Sequence, residues 1–435
     1  MRRSCFGTAG LLAIGAGALI PGAAAGQSLD EMRRMLLQQQ QMIEQMQRQQ
    51  QQLQQKFDET LTKYNQLQAK TDQVAKATEA ASTQSKTVTN GNERVKIALS
   101  GHINRMVTVA NDGEATDFYN VDNNNSSSRV RVVGTAKVDD KMSFGTVLEV
   151  ALQSNSSGKV SQNDQDLGSF TFEGRKVEAY FQHDDYGRLT IGQGSTASDN
   201  TAEVDLSGTS VIQYAFLEGQ AGGLQFYDKK SGAYGPSIGT VFDDFDGNSR
   251  TSRLRYDTPR FGDKTASIGF AGDVASDRRW SVASTGRLDL DDVRAEAAVA
   301  FSERHSGTDA QRLDGSVSVL HKPTGLSLTV SSGQDFRDGS NSDDAWGVYG
   351  KLGWMARDLV SIGPTAFSLD YAYNENVNPQ AGTDSEAQSA GFAVVQNWAE
   401  YGVEFYAGYR WHTLDETNAD YEDIHVVSVG TRVKF

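Results

Sequence analysis

Residues 401–412 read YGVEFYAGYRWH. At every second position, Tyr401, Val403, Phe405, Ala407, Tyr409 and Trp411 form an apolar face. The interleaved Gly402, Glu404, Tyr406, Gly408, Arg410 and His412 form a mostly polar one. A period of two marks a β-strand whose faces meet different surroundings, because successive Cβ atoms point to opposite sides. The scheme recurs upstream. Phe367, Leu369, Tyr371 and Tyr373 oppose Ser368, Asp370 and Ala372. Leu326, Leu328 and Val330 oppose Ser327, Thr329 and Ser331, and Trp346, Val348, Leu352 and Trp354 oppose Gly347, Tyr349, Lys351 and Gly353.

Alternation alone also fits the half-buried sheet of a soluble sandwich or solenoid. Three features favour a membrane. The strands run to about nine to fourteen residues, as tilted spanning strands must. Aromatic residues sit near strand ends, as in interfacial girdles. Connections alternate between short and long. Short turns fall at 139–141, 184–186, 259–262, 291–292, 323–325, 358–363 and 399–400. Longer loops fall near 110–127, 155–169, 194–250, 276–279, 305–311, 336–343, 376–383 and 416–421. Together these connect sixteen strands between 94 and 435, with both ends on the short-turn side. The predicted fold is an all-β transmembrane barrel of sixteen antiparallel strands, preceded by an α-helical coiled-coil segment. A sheet this wide must close, since an open edge in lipid leaves backbone groups unpaired. At this strand number the interior is expected to be an aqueous channel rather than a packed core.

Composition agrees. In the chain of 435 residues, 41 basic residues face 56 acidic ones, a net charge of −15. No basic block offers phosphates a clustered surface, so nucleic acid is not an expected partner. A mean hydropathy of −0.50 and the lack of a second long apolar run exclude a helical membrane protein. They do not exclude a barrel, whose alternating strands average to polar.

The N-terminus reads as an address and a stalk. Residues 1–25 form a predicted signal peptide, with Arg2 and Arg3 at its start, an apolar run from Phe6 to Ile20 and small residues Ala23 to Ala25 at the cleavage site. Cys5, the single cysteine, lies before the apolar run, which speaks against a lipoprotein. Its removal excludes a disulfide or thiol catalysis in the mature chain. Residues 26–81 are Gln-rich and carry a heptad pattern. Leu29, Leu36, Ile43, Phe57 and Tyr64 fall at one core position, and Met32, Met46, Leu53, Leu67 and Val74 at the other. A sustained seven-residue period predicts a left-handed coiled coil, roughly 80 Å long at 1.5 Å per residue. A disordered polar tract is the competing reading, because runs such as Gln49–Gln52 are low in complexity. Residues 82–93 read as a linker.

Five stretches across the barrel carry a family resemblance: ALSGHINRMV (98–107), VDNNNSSSRVRVVG (121–134), GRLTIGQGSTASDNTAEVDLSGT (187–209), SRLRYDTPRFG (252–262) and the closing TRVKF (431–435). The chain resembles the general porin family of Gram-negative bacteria over this span, and not over the coiled coil. The resemblance implies a trimer of water-filled barrels in the outer membrane. It implies a third loop that folds inward, with acidic residues facing basic residues on the opposite wall. The terminal Phe435, with Val433 before it, resembles the signal read by the barrel assembly machinery.

Alternation supplies candidates for both sides. Val130 and Val132 on the second strand face lipid, which turns Arg129 and Arg131 inward. Lys176 on the fourth strand, Arg188 on the fifth, and Arg253 and Arg255 on the sixth point inward on the same grounds. A charge on the lipid face costs about 2–4 kcal/mol at the midplane. The third loop offers Asp199, Glu203 and Asp205. Opposed charges across a narrow aqueous opening create a transverse field that favours small polar solutes.

Little suggests catalysis. His102, His183, His305, His321, His412 and His425 are scattered and form no metal motif. No GxSxG motif accompanies the serines. Asp243, Asp244 and Asp246 lack EF-hand spacing and read as exposed loop residues. The expected function is passive diffusion of small hydrophilic solutes and ions, without cofactor, metal or chemical step. Expected partners are two further copies of the chain, outer-membrane lipid and lipopolysaccharide, the assembly machinery, and peptidoglycan through a periplasmic coiled coil. The alternatives are a phosphate- or sugar-selective porin, an outer-membrane hydrolase and a trimeric adhesin.

Overall fold

A computed structural model describes residues 86–89 and 95–435, apart from 169, 277, 307, 338–343 and 378–383. The signal peptide, the coiled coil and most of the linker lie outside the described residues. Within the stretch read as a linker, Lys86–Thr89 forms a short strand paired with residues 96–99.

The strands of the wall are β1 (Val95–Asn111), β2 in two pieces (Thr116–Asp122 and Arg129–Lys137), β3 (Met142–Ser154), β4 (Phe170–His183) and β5 (Gly187–Ser195). After the third loop come β6 (Arg250–Asp257), β7 (Ala266–Ala275), β8 (Trp280–Asp289), β9 (Val293–Ser306) and β10 (Thr308–His321). The wall ends with β11 (Leu326–Arg337), β12 (Ala345–Val360), β13 (Gly363–Glu375), β14 (Ser385–Trp398), β15 (Val403–Glu416) and β16 (Ile424–Lys434). Each pairs antiparallel with its neighbours, and β16 pairs with β1 from Asn111↔His425 to His102↔Lys434. The result is a closed barrel of sixteen strands. Phe435 completes the seam: its N–H donates to the Gly101 carbonyl at 3.0 Å and its carbonyl accepts from Gly101 at 2.9 Å. No described helix is long and apolar enough to cross a membrane.

The two faces follow the alternation. Leu326, Leu328, Trp346, Leu352, Trp354, Leu369, Tyr371, Phe405 and Tyr409 stand exposed on the outside. Ser327, Thr329, Ser331, Lys351, Ser368, Asp370, Arg410 and His412 are buried on the inside. An exposed apolar belt this wide around a polar interior has lipid as its solvent.

Two expectations are corrected. The stretch near 110–127 is not a long loop. Thr116–Asp122 pairs with β1, and only a short turn joins them. A 3₁₀ turn over Asn124–Ser126 then interrupts β2. Its cause is local, because Asn and Ser side chains compete for the backbone. Asn123 accepts from the Asn125 N–H at 3.0 Å, and Asp122 from the Ser128 N–H at 3.0 Å.

The second correction concerns the interior. The third loop, residues 196–249, folds into the barrel and carries structure of its own: two short helices (Glu218–Ala221 and Ile238–Val241) and a hairpin (Gln225–Asp228 with Ala233–Ser237). Val211, Ile212, Leu217, Leu224, Phe226, Ile238 and Phe242 of the loop bury against Met106, Tyr119, Ala387, Tyr406, Leu414 and Ile424 of the wall. Part of the interior is therefore a packed apolar core, stabilised as any core is by removing side chains from water.

Candidate functional site

The loop's path is set by side chains on the inner face of the wall. Ala197 and Ser198 N–H groups donate to Asp273 (2.7 Å) and Ser281 (3.2 Å). Val204 and Leu206 donate to Ser316 and Ser318, each at 3.0 Å. Thr201 bonds Asp314, and Thr209 bonds Ser368 at 2.7 Å. On the far side Asn123 and Asn125 donate to the carbonyls of Val211 (2.8 Å) and Ile212 (2.6 Å). The loop's backbone groups need partners once buried, and the polar inner face provides them.

Ion pairs fix the loop at two further points. Lys351 on β12 meets Asp205 at 2.6 Å and donates to the Gln213 carbonyl at 2.6 Å. Arg312 on β10 meets Asp243 at 2.8 Å and Asp335 at 2.5 Å. Arg312 also lies over the ring of Phe245, 5.1 Å from its centroid. Phe245 sits against Gly333 and Gly347, which face each other on β11 and β12. A Cβ on Gly333 would lie 2.2 Å from that of Phe245, so glycine is required for the close approach.

Opposite the loop, the inner face of β2 to β4 is cationic. Arg131 pairs in register with Glu149 of β3, and Glu149 with Lys176 of β4. One residue on, the register shifts between Glu149 and Val150, and Arg175 occupies the bulge. A bulge re-aims side chains, and Arg175 joins Lys176 inside, meeting Glu149 at 2.7 Å. Arg129 and Arg131 approach the same carboxylate at 3.6 and 3.9 Å.

On the loop, Glu203, Asp244 and Asp246 are each only partly exposed, and Tyr214 lies near all three and near Arg129. Burial and the neighbouring carboxylates Asp246, Asp244 and Asp199 hold the Glu203 carboxyl well above the usual carboxylate range. Burial, then Asp244 and Asp199, do the same to Asp246, while burial and Asp243 bring Asp244 to about 6. Tyr214 lies between the two sides. Burial drives its hydroxyl up, the three acids add to that, and Arg129 opposes it.

The sequence candidates separate into groups. Arg129, Arg131 and Lys176 stand on the cationic wall, and Glu203 lies on the loop among Asp199, Asp244 and Asp246. Asp199 points to Arg250 at 3.9 Å. Asp205 lies beneath the loop on Lys351. Arg253 is buried, pairing with Glu178 at 2.6 Å and donating to the Ser195 and Gly192 carbonyls, each at 2.8 Å. Arg255 pairs with Asp257 at 2.6 Å and holds the Thr196 carbonyl at the loop's entry. Arg188 stacks on Tyr180, 3.7 Å from its ring centroid, close to the 184–186 turn. Val433 is exposed on the outer face. Arg175, Asp244 and Asp246 were not among the candidates. Asp243, Asp244 and Asp246 belong to the inward loop rather than an exposed one. Among the described residues, no group of three or more His, Cys, Asp or Glu has the geometry to hold a metal.

A closed barrel of sixteen antiparallel strands, apolar outside and largely polar inside, with a long loop folded into it, defines the porin class. The profile of the Gram-negative porin family matches residues 71–417, and the chain belongs to that family. Family and fold make it an outer-membrane channel. The chain is 26% identical over 285 residues to the uncharacterized protein YaiT of Escherichia coli strain K12, a match covering 60% of this chain and 27% of that protein's length. In fold it is similar to the anion-selective porin from Comamonas acidovorans (TM-score 0.52, 17% identity, 78% of this chain and 100% of that one). It is similar to the trimer form of OmpT from Vibrio cholerae (0.50, 12%, 79% and 100%) and to the outer membrane channel DcaP of Acinetobacter baumannii (0.51, 10%, 80% and 99%). At these identities the likeness is one of fold.

Proposed function

We propose that the protein is a trimeric, water-filled porin for passive diffusion of small hydrophilic solutes and ions. The observation that carries this reading is the placement of charge inside the barrel: Arg129, Arg131, Arg175 and Lys176 on the wall, and Glu203, Asp244 and Asp246 on a loop held by buried ion pairs. Fixed opposed charges orient polar solutes, whereas apolar molecules lose ordered water without compensation. No chemical step or cofactor enters.

Two features of the outer surface favour self-association. Arg105 lies on the outward side of β1 and bonds Ser154 (2.6 Å) and Asn120 (2.9 Å) there. A cation facing lipid is costly at depth. Beside it, β4 pairs with β5 only from Val177 onward, which leaves the edge at residues 170–176 without a strand partner on that side among the described residues. Unpaired edges do not face hydrocarbon. A neighbouring copy covering this sector meets both demands, and the OmpT likeness includes a trimer form. The predicted coiled coil, trimeric to match, would project into the periplasm and tether the barrel to peptidoglycan. Phe435 and Val433 would present the assembly signal, and the outer belt would contact lipid and lipopolysaccharide.

The test is single-channel recording of the full-length protein in a planar bilayer. Large ohmic steps that close in threes are expected. Folded protein without conductance refutes the channel, and single-step closure refutes the trimer. Deleting residues 26–90 with no change in envelope attachment or trimer stability would sink the tether.

A further inference from the structure

The charges on the two sides of the opening do not balance. On the wall, five cationic side chains (Arg129, Arg131, Arg175, Lys176 and Arg253) accompany two carboxylates, Glu149 and Glu178. Glu178 is committed to Arg253 at 2.6 Å, both buried. Glu149 is shared by three guanidinium groups. Lys176 has no hydrogen bond and no ion pair within 4.0 Å among the described residues, and it points into the lumen beside the outward Val177. Arg131 keeps 45% of its side chain exposed, with Glu149 at 3.9 Å as its ion-pair partner.

The loop does not make up the difference. Asp199, Asp205 and Asp243 are directed to Arg250, Lys351 and Arg312. Glu203, Asp244 and Asp246 have no cation within 4.0 Å among the described residues and crowd one another. Neighbouring carboxylates in a partly buried site do not all ionise together. Burial and this crowding hold the Glu203 and Asp246 carboxyls well above the usual carboxylate range and bring Asp244 to about 6, which weakens the acidic side of the site. Cationic side chains on the wall therefore outnumber the carboxylates that ionise together on the two sides. Acidic residues in the outer loops act weakly there, since exposed charges are screened beyond about 8–10 Å at physiological salt.

We propose that the opening is an anion filter, in which Arg131 and Lys176 form an uncompensated cationic pair that draws carboxylate- or phosphate-bearing solutes through the constriction. A guanidinium and an ammonium on neighbouring strands suit such groups, which accept several charge-assisted hydrogen bonds at once. A passing anion exchanges part of its hydration for these donors, and the exposure of Arg131 lets it leave again. The proposal rests on the channel reading and narrows its solute class.

The test is the reversal potential of the full-length protein across a KCl gradient at pH 7, followed by titration with inorganic phosphate. The expected chloride-to-potassium permeability ratio is above one. It falls at least about twofold in R131Q and in K176Q, each of which removes one free cation from the filter. Phosphate slows the chloride current in the unaltered protein and less so in either variant. R131K and K176R keep the charge, preserve the ratio and control for misfolding. Normal conductance with a ratio at or below one overturns the filter and leaves the channel intact. A high ratio unchanged in both neutral variants overturns the assignment to this pair. Folded protein without conductance overturns the channel reading and the filter with it.

Discussion

Strands β11 to β13 and strands β2 to β4 enclose the same lumen with the same alternation, yet their inner faces do different work. On β11 to β13, Ser327, Lys351, Ser368 and Asp370 are buried, covered by the third loop or by one another. On β2 to β4, Arg131 and Lys176 remain open to the channel and lack tight partners. Polar residues turned inward are thus of two kinds. One kind substitutes for water around a folded loop, and the other stays in water and shapes its field. The first kind should set stability and the second permeation, so substitutions on the two sides should separate these properties.

The largest effect is expected at Lys351. Its ammonium is wholly buried on Asp205 and the Gln213 carbonyl. Lys351→Met leaves Asp205 buried without its cation, which typically destabilises by about 3–5 kcal/mol. The loop should loosen. The measurements are thermal resistance of the folded band in detergent and current noise in single channels. Both should change, and adding Asp205→Leu should recover much of the loss because it removes the orphaned charge. A quiet, heat-resistant Lys351→Met channel would mean that the loop is held elsewhere.

Gly333 sharpens the same contrast at smaller scale. Gly333→Ala places a methyl group 2.2 Å from the Phe245 Cβ. Overpacking of this kind costs about 1–3 kcal/mol. Phe245 must shift, and with it the Asp243–Arg312 pair two residues away, so conductance should change. Gly350, on the outer face of β12, has nothing within 4 Å of its would-be Cβ. Gly350→Ala should leave melting and conductance as they are. Equal effects from the two substitutions would erase the distinction between inner and outer faces.

Below these comes Ser318, whose hydroxyl accepts from Leu206 at 3.0 Å. Ser318→Ala removes this bond and the one the hydroxyl shares with the Thr329 hydroxyl at 2.7 Å, and should cost about 1–2 kcal/mol, read as a modest fall in melting temperature with unchanged ion preference. Arg131→Gln should do the reverse, moving ion preference and leaving melting nearly untouched, because an exposed pair contributes little to stability.

The barrel was legible because each strand separates lipid from the interior, and that boundary is written every second residue, as in Tyr401 to His412. The inward turn of Arg129, Arg131 and Lys176 follows from it. Arg175 does not, because a bulge breaks the period that assigns a face. Asp205 illustrates a different limit. It shares composition and setting with Glu203, and only the position of Lys351 on a distant strand puts it under the loop. A polar inner face also reads alike whether water or peptide covers it, so the packed core around Phe226 and Phe242 left no mark in the alternation. Asp243, Asp244 and Asp246 have the composition of a surface loop. Their place inside the barrel depends on Arg312 and on the Gly333–Gly347 slot, which are separated from them by many tens of residues.

The smallest expected effect moves a single charge, and it probes the open side from the loop. Asp244 sits with Glu203, Asp246 and Asp243, with Arg312 nearby, and burial with the Asp243 charge raises its carboxyl from the ordinary 3.8 to about 6. Below that value it is protonated and the wall's cations act almost unopposed. As pH rises through about 6 it ionises, and the opening gains a negative charge opposite Arg129. Chloride preference should therefore be strongest near pH 5 and decline toward pH 7, with its midpoint near 6. The raised value also means that the folded protein holds this proton more tightly than the unfolded chain, so the Asp244 contribution to stability is present below pH 3.8 and is lost as pH rises to about 6. Asp244→Asn should flatten the permeability profile over that window and hold it at the acidic level. Glu203→Gln should change it less, since burial and the neighbouring carboxylates hold the Glu203 carboxyl well above the usual carboxylate range. A profile that Asp244→Asn leaves sloping would take the titrating charge away from this carboxyl, and one that rises with pH would overturn the assignment altogether.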